Sequence, residues 1–286
     1  MSMKRFAGQE SSKEYAMKNK FALSALILAL CVLFKWQFAE ADADRLDWLL
    51  RPTAALVSLC TGISFSHYPG EGYGNELESF LIAPACSGLN FFIILSATAL
   101  CLTVWHLHGR RALAWGTAGL CAAYCVALAV NALRIVLALA MYRGGMQGLP
   151  LDAEQLHRVE GVVIYYVCLC AFVMVSSCLL QKAGKTETKK TLEAEFSFAE
   201  RSAHDDRPAS CPAIFPFYPA LKAFLPLLCY LLFTLGIPLV NGAVAKAPDA
   251  FVEHCLTVLL LSAALSSLFY LLYRKSDKAD CNSAPK

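Results

Sequence analysis

Charge is scarce in this chain. Of its 286 residues only 16% are Asp, Glu, Lys or Arg, against about 25% in an average soluble domain, and 57% are apolar. Long uncharged runs at that composition exclude a simple soluble fold. CxxC pairs are missing too, although there are thirteen cysteines. Most of them fall inside apolar runs, where cysteine behaves as a small, soft hydrophobe. A disulfide scaffold and a cysteine zinc site are thereby disfavoured, and no cofactor-binding or metal-binding motif emerges. No basic stretch interleaved with aromatics suggests a nucleic-acid partner. No internal repeat is evident. The first apolar run, Phe21 to Ala39, is not closed by a convincing small-residue cleavage site, because Glu40-Ala-Asp-Ala-Asp follows it. It therefore reads as an uncleaved first span rather than a signal peptide.

What is present is a series of apolar segments near the roughly 20 residues needed to cross a bilayer. They predict an all-α polytopic integral membrane protein with about six transmembrane helices, at 21–39, 87–107, 112–135, 158–180, 223–243 and 254–273. Lys and Arg concentrate on the cytoplasmic side of such proteins. With both termini inside, most of the 25 Lys and Arg residues fall on the inner side; Lys35, Arg45, Arg51, Arg134, Arg143, Arg158 and Lys246 are the outer ones. Residues 46–62 contain Arg51 and Pro52 and are only partly apolar. As a second span they would place Arg110 and Arg111 outside, against the charge rule. They read instead as an amphipathic or re-entrant helix at the outer leaflet. The runs "ISFSH" and "ESFLIA" flank the turn-rich "YPGEGYGNEL", which predicts a small extracytoplasmic hairpin.

The resulting organisation has a cytoplasmic segment at 1–20 and a membrane core at 21–180. A flexible cytoplasmic linker follows at 181–220, then a two-helix membrane extension at 221–274 and a basic cytoplasmic tail at 275–286.

Ionisable groups inside apolar segments are costly and often mark function. This topology brings three of them to one depth on the outer face: Cys86, Arg134 and His157. Cys86 follows Pro84, a residue favoured at helix starts, and so is predicted at a helix N-terminus. A helix N-terminus and a nearby cation both lower a thiol's pKa. An arginine stays charged and holds a developing oxyanion. A histidine passes a proton between thiol, leaving amine and incoming nucleophile. Asn131 lies three residues before Arg134, on the same helix face. Gly88 and Gly161 allow close helix packing nearby.

Each residue has an ordinary reading as well. A cysteine in a membrane helix is usually structural, and an interfacial arginine usually snorkels to phosphates. The shared depth favours a common site over three separate accidents. His67 and His254, also on the outer side, rival His157. His106 and His108 form a solvated pair at the inner end of a span. Cys121 and Cys125 read as core packing, and Tyr165 and Tyr166 as helix-interface residues.

"ACSGLNFF" at 85–92, "NALRI" at 131–135 and "HRVEG" at 157–161 resemble, in order and spacing, the three signature blocks of the exosortase/archaeosortase family, with exosortase K as the nearest subgroup. The resemblance covers roughly residues 21–180. It implies a membrane-embedded cysteine protease or transpeptidase that processes exported proteins. Their C-terminal signal comprises a short motif, a transmembrane helix and a basic cluster. By position, Cys86 resembles the family nucleophile, Arg134 its catalytic arginine and His157 its catalytic histidine. Ser87, Gly88, Asn131 and Gly161 match further motif positions. The implied partners are such exported substrates, membrane lipid, and a surface glycan or lipid acceptor. The last two spans exceed what a minimal family core requires, and form either an accessory or substrate-docking unit or a structural extension. Two rival classes remain: a membrane acyltransferase working through a Cys86 thioester, and a non-enzymatic anion-binding transporter or scaffold. The second leaves Cys86 unexplained.

Overall fold

A computed structural model describes residues 2–38, 40–76, 80–143, 153–199, 226–240 and 248–282. The helices are α1 (Ser2–Gln37), α2 (Asp47–Thr61), α3 (Leu89–His106), α4 (Gly109–Arg143) and α5 (Ala153–Ala199). They are followed by α6 (Pro226–Gly236) and α7 (Pro248–Asn282). The second half of α6, Leu232–Gly236, is wound as a π-helix and runs on into the helical residues Ile237–Val240. Among the described residues, five helices contain segments long and apolar enough to cross a membrane: Met17–Gln37, Pro84–His106, Gly109–Met141, Arg158–Gly184 and Phe251–Leu268. The sequence segment 223–243 corresponds to the short, π-distorted α6, part of it lying outside the described residues.

α3 is the central helix. It is apolar on all sides, which suits a helix surrounded by others, and it packs against α1, α4, α5 and α6. Thr98 and Thr103 turn their hydroxyls back onto the helix, donating to the carbonyls of Ile94 and Ala99 at 2.7 and 2.8 Å. Gly119 on α4 lets that helix approach Ala99, where an added Cβ would sit only 3.2 Å from the Ala99 methyl. Small residues at such crossings are how membrane helices gain contact. α1 is joined to α3 by Trp105, whose Nε1 donates to Ser24 Oγ at 3.1 Å and whose ring meets Phe21 edge-on. Leu23, Leu26, Leu30 and Leu33 on α1 are exposed, an apolar surface suited to lipid.

α2 has 15 residues, about 22 Å at 1.5 Å per residue, shorter than a hydrocarbon core. Leu49, Leu50, Ala54 and Val57 form its buried face, while Leu59 is exposed. It packs on α4. There the Tyr124 hydroxyl donates to the Trp48 carbonyl at 2.7 Å, with the two rings stacked.

The expected two-stranded hairpin is a three-stranded antiparallel sheet. β1 (Ser66–Tyr68), β2 (Gly72–Asn75) and β3 (Phe80–Ile82) pair in chain order. The strand that the turn-rich reading hid is β2, inside the glycine-rich segment. Its glycines are there for close approach. A Cβ on Gly72 would collide with the Ile82 carbonyl oxygen, and one on Gly74 would lie 2.9 Å from the Tyr68 ring. β2 is tied to α2 by Tyr73, whose hydroxyl donates to Asp47 Oδ1 at 2.6 Å. Burial and that bond push the Tyr73 phenol up to about 12, so it remains a donor at neutral pH.

A second correction concerns the linker. Residues 181–199, expected to be flexible, continue α5 as helix to Ala199. Gln, Lys, Glu, Leu and Ala dominate this stretch, all of them good helix formers. Polarity was taken for looseness there. The rest of the expected linker, 200–220, lies outside the described residues.

Candidate active site

β3 leads directly into the segment of interest. Ile82 is fully buried and fixes the end of the strand. Pro84–Cys86 then form one 3-10 turn, closed by the Cys86 N–H donating to the Ala83 carbonyl at 2.8 Å. Gly88 follows in the left-handed region, φ 73°, and only then does α3 begin, at Leu89. The helix thus starts later than the sequence suggests. Cys86 sits in the turn ahead of the helix, not in its first turn. Gly88 is required twice over. Its backbone conformation disfavours any side chain, and a Cβ there would lie 2.8 Å from Asn131 Cγ.

Asn131 is the hinge of the arrangement. It is fully buried on α4, so its amide must find partners within the protein. Its Nδ2 donates to the Cys86 carbonyl at 2.7 Å. Its Oδ1 accepts from the Tyr165 hydroxyl at 2.7 Å, and that hydroxyl accepts from Arg134 Nη1 at 3.2 Å. Donation therefore runs in one sense, from Arg134 through Tyr165 and Asn131 to the backbone of Cys86. Bonds aligned this way polarise one another. Arg134 also lies over the Tyr165 ring at 5.4 Å, and Phe91 stacks on that ring at 4.5 Å. The Cys86 thiol is half-buried and within electrostatic reach of the Tyr165 hydroxyl.

Gly161 faces the same cluster from α5, where an added Cβ would be 3.0 Å from Arg134 Nε. His157 lies one helical turn before Gly161 on α5, hence on the same helix face. Its side chain is outside the described residues. Ser87 is buried, and its Oγ accepts from the Leu89 N–H at 3.4 Å.

Arg134 is deeper along its helix than the sequence reading placed it. The apolar span of α4 continues to Met141, about two turns further. Beside the cluster opens a cavity of about 490 Å³. Ala85, Ser87 and Gly88 line it from the Cys86 turn, and Arg134, Gly161 and Tyr165 from α4 and α5. Of the rival histidines, His67 pairs with Asp44 at 3.3 Å on the sheet, whereas His254 lines the cavity.

The residue that sequence reasoning underused is Tyr165. Its signal was present: His157, Gly161 and Tyr165 are spaced i, i+4, i+8 on α5, which stacks them on one face.

A model of the transmembrane exosortase family matches residues 15–174. The chain belongs to the transmembrane exosortase family. The match is to the family as a whole, and it spans α1 to the middle of α5. No curated protein and no solved structure matches the chain. Membership implies an integral membrane enzyme of the protease and transpeptidase class that acts on protein sorting signals. The matched segment contains Cys86, Asn131, Arg134, His157, Gly161 and Tyr165. α6 and α7 lie beyond it.

Proposed function

We propose that this exosortase cleaves the C-terminal sorting signal of exported proteins through a Cys86 thioester, at the extracytoplasmic membrane interface. The observation that carries the reading is the hydrogen-bonded chain from Arg134 through Tyr165 and Asn131 to the Cys86 turn, at the edge of a cavity. A peptide-processing site needs a nucleophile, a fixed cation and room for substrate side by side.

In this reading the Cys86 thiolate attacks the carbonyl carbon of the scissile peptide bond. The carbonyl's π electrons move to oxygen, and Arg134 holds the resulting oxyanion. Protonated His157 gives its proton to the leaving nitrogen as the carbon–nitrogen bond breaks, and a thioester remains. Water, or an amine or hydroxyl of a surface glycan or lipid, then attacks the thioester. His157 takes that nucleophile's proton, and the thiolate leaves. Asn131, with Gly88 beneath it, keeps the Cys86 turn fixed. Tyr165 holds Arg134 by hydrogen bond and ring face. The substrate's signal helix lies parallel to the spans and its motif enters the cavity. Both termini of the enzyme are cytoplasmic, as the distribution of Lys and Arg favours.

Co-expression with a tagged exported protein bearing a motif, an apolar helix and a basic tail tests the function. The expected result is a shortened tagged product that disappears when the motif is scrambled. A product unchanged in length beside active enzyme would count against the reading.

A further inference from the structure

The family match ends at residue 174, yet the cavity is not closed by the matched segment alone. Tyr230, Thr234 and Pro238 from the α6 segment and His254 from α7 form part of its lining. α7 packs along α5. At the start of α5, beside His157, Arg158 Nη1 lies 3.6 Å from Glu253 Oε2 on α7. The added helices therefore touch the helix that carries the candidate catalytic histidine.

His254 shares this lining with a distorted stretch of α6. In an α-helix the Thr234 carbonyl would accept from the N–H of residue 238. Proline has no N–H, so Pro238 removes that donor. The π-wound turn at Leu232–Gly236 ends just before it, and π-bulges recur at functional sites. His254 on α7 lines the cavity together with Thr234 and Pro238. A neutral imidazole that donates through one nitrogen keeps a lone pair on the other. The cationic side chains lining the cavity, Lys35, Arg134 and Arg158, are donors only. His254 adds an acceptor among them.

We propose that α6 and α7 complete this active site, and that His254 is its specificity-determining residue, accepting a hydrogen bond from an N–H of the extended peptide bound in the cavity. The proposal rests on the sorting-signal reading above.

The test uses the full chain and the tagged co-expressed substrate. His254→Phe is expected to lower processing about tenfold, the cost of one unpaired substrate donor, with the loss in KM rather than kcat. His254→Gln, which retains an acceptor, is expected to recover part of it. Cys86 alkylation by iodoacetamide at the parental rate reports an intact fold in each variant. Parental KM in correctly folded His254→Phe overturns the proposal. If processing persists without Cys86, it is the nucleophile assignment that fails, a result distinguishable from that one.

Discussion

Replacing Cys86 with alanine is expected to abolish processing of the sorting signal, a fall of at least about 10³-fold, because no other group takes over a covalent step. Serine in its place should be nearly as inert. Its hydroxyl is a much weaker nucleophile at neutral pH, and the fixed cation nearby cannot make up the difference. The fold should survive both changes. Asn131 holds the backbone carbonyl of residue 86, not its side chain, and Cys86 is half-buried rather than a core anchor. Among thirteen cysteines, the contrast with the others is itself a control. Cys60 at the end of α2 and Cys125 on α4 are exposed and lie outside the Cys86 turn. Serine at either position should leave the processing rate within about twofold, as surface changes usually do. The measurement is the time course of tagged product in membranes containing matched amounts of enzyme.

The second large effect is expected at Arg134. Removing a group that holds a developing oxyanion typically costs about 10²–10³ in rate, so Arg134→Gln should fall in that range. Arg134→Lys separates two explanations. A lysine retains the charge but not the planar fork that both donates to the Tyr165 hydroxyl and lies over its ring. If Arg134 merely snorkelled to lipid phosphate, lysine would restore the full rate. If it holds the oxyanion from this geometry, lysine should remain at least about tenfold impaired. Gly161 beneath the guanidinium leaves space for the arginine in its present position. The same time course, at saturating substrate, reads the difference.

Much of this arrangement was legible before any coordinates. Apolar length marked out the spans because lipid gives a helix no other way to satisfy its backbone. Charge asymmetry predicts Cys86, Arg134 and His157 at one depth on the outer face, whereas Arg134 lies about two turns inside the end of the α4 span. The structure brings Arg134 to the Cys86 turn, with Asn131 as the joint between them. Other features escaped for physical reasons. β2 hides in a glycine-rich stretch because turn chemistry and close strand packing call for the same residue. Gly72 and Gly74 serve the second purpose. The late start of α3 depends on the left-handed Gly88, which hydropathy cannot register. The polar half of α5 has the composition of a linker because charge signals solvent, not irregular backbone. Tyr165 looked like packing, although its spacing from Gly161 placed it at the site. Sequence leaves the last two spans as either a docking unit or a plain extension, because the approach of Thr234 and His254 to the cavity is long-range.

The most direct test of the central claim is the mass of the enzyme during turnover. Purified full-length chain is mixed with substrate, quenched in acid, digested and sequenced by mass spectrometry. The predicted result is a peptide acyl group from the substrate, upstream of its signal helix, attached to Cys86 and released by hydroxylamine as a thioester should be. An acyl group on another residue, or a lipid acyl chain in place of the peptide on Cys86, would contradict it.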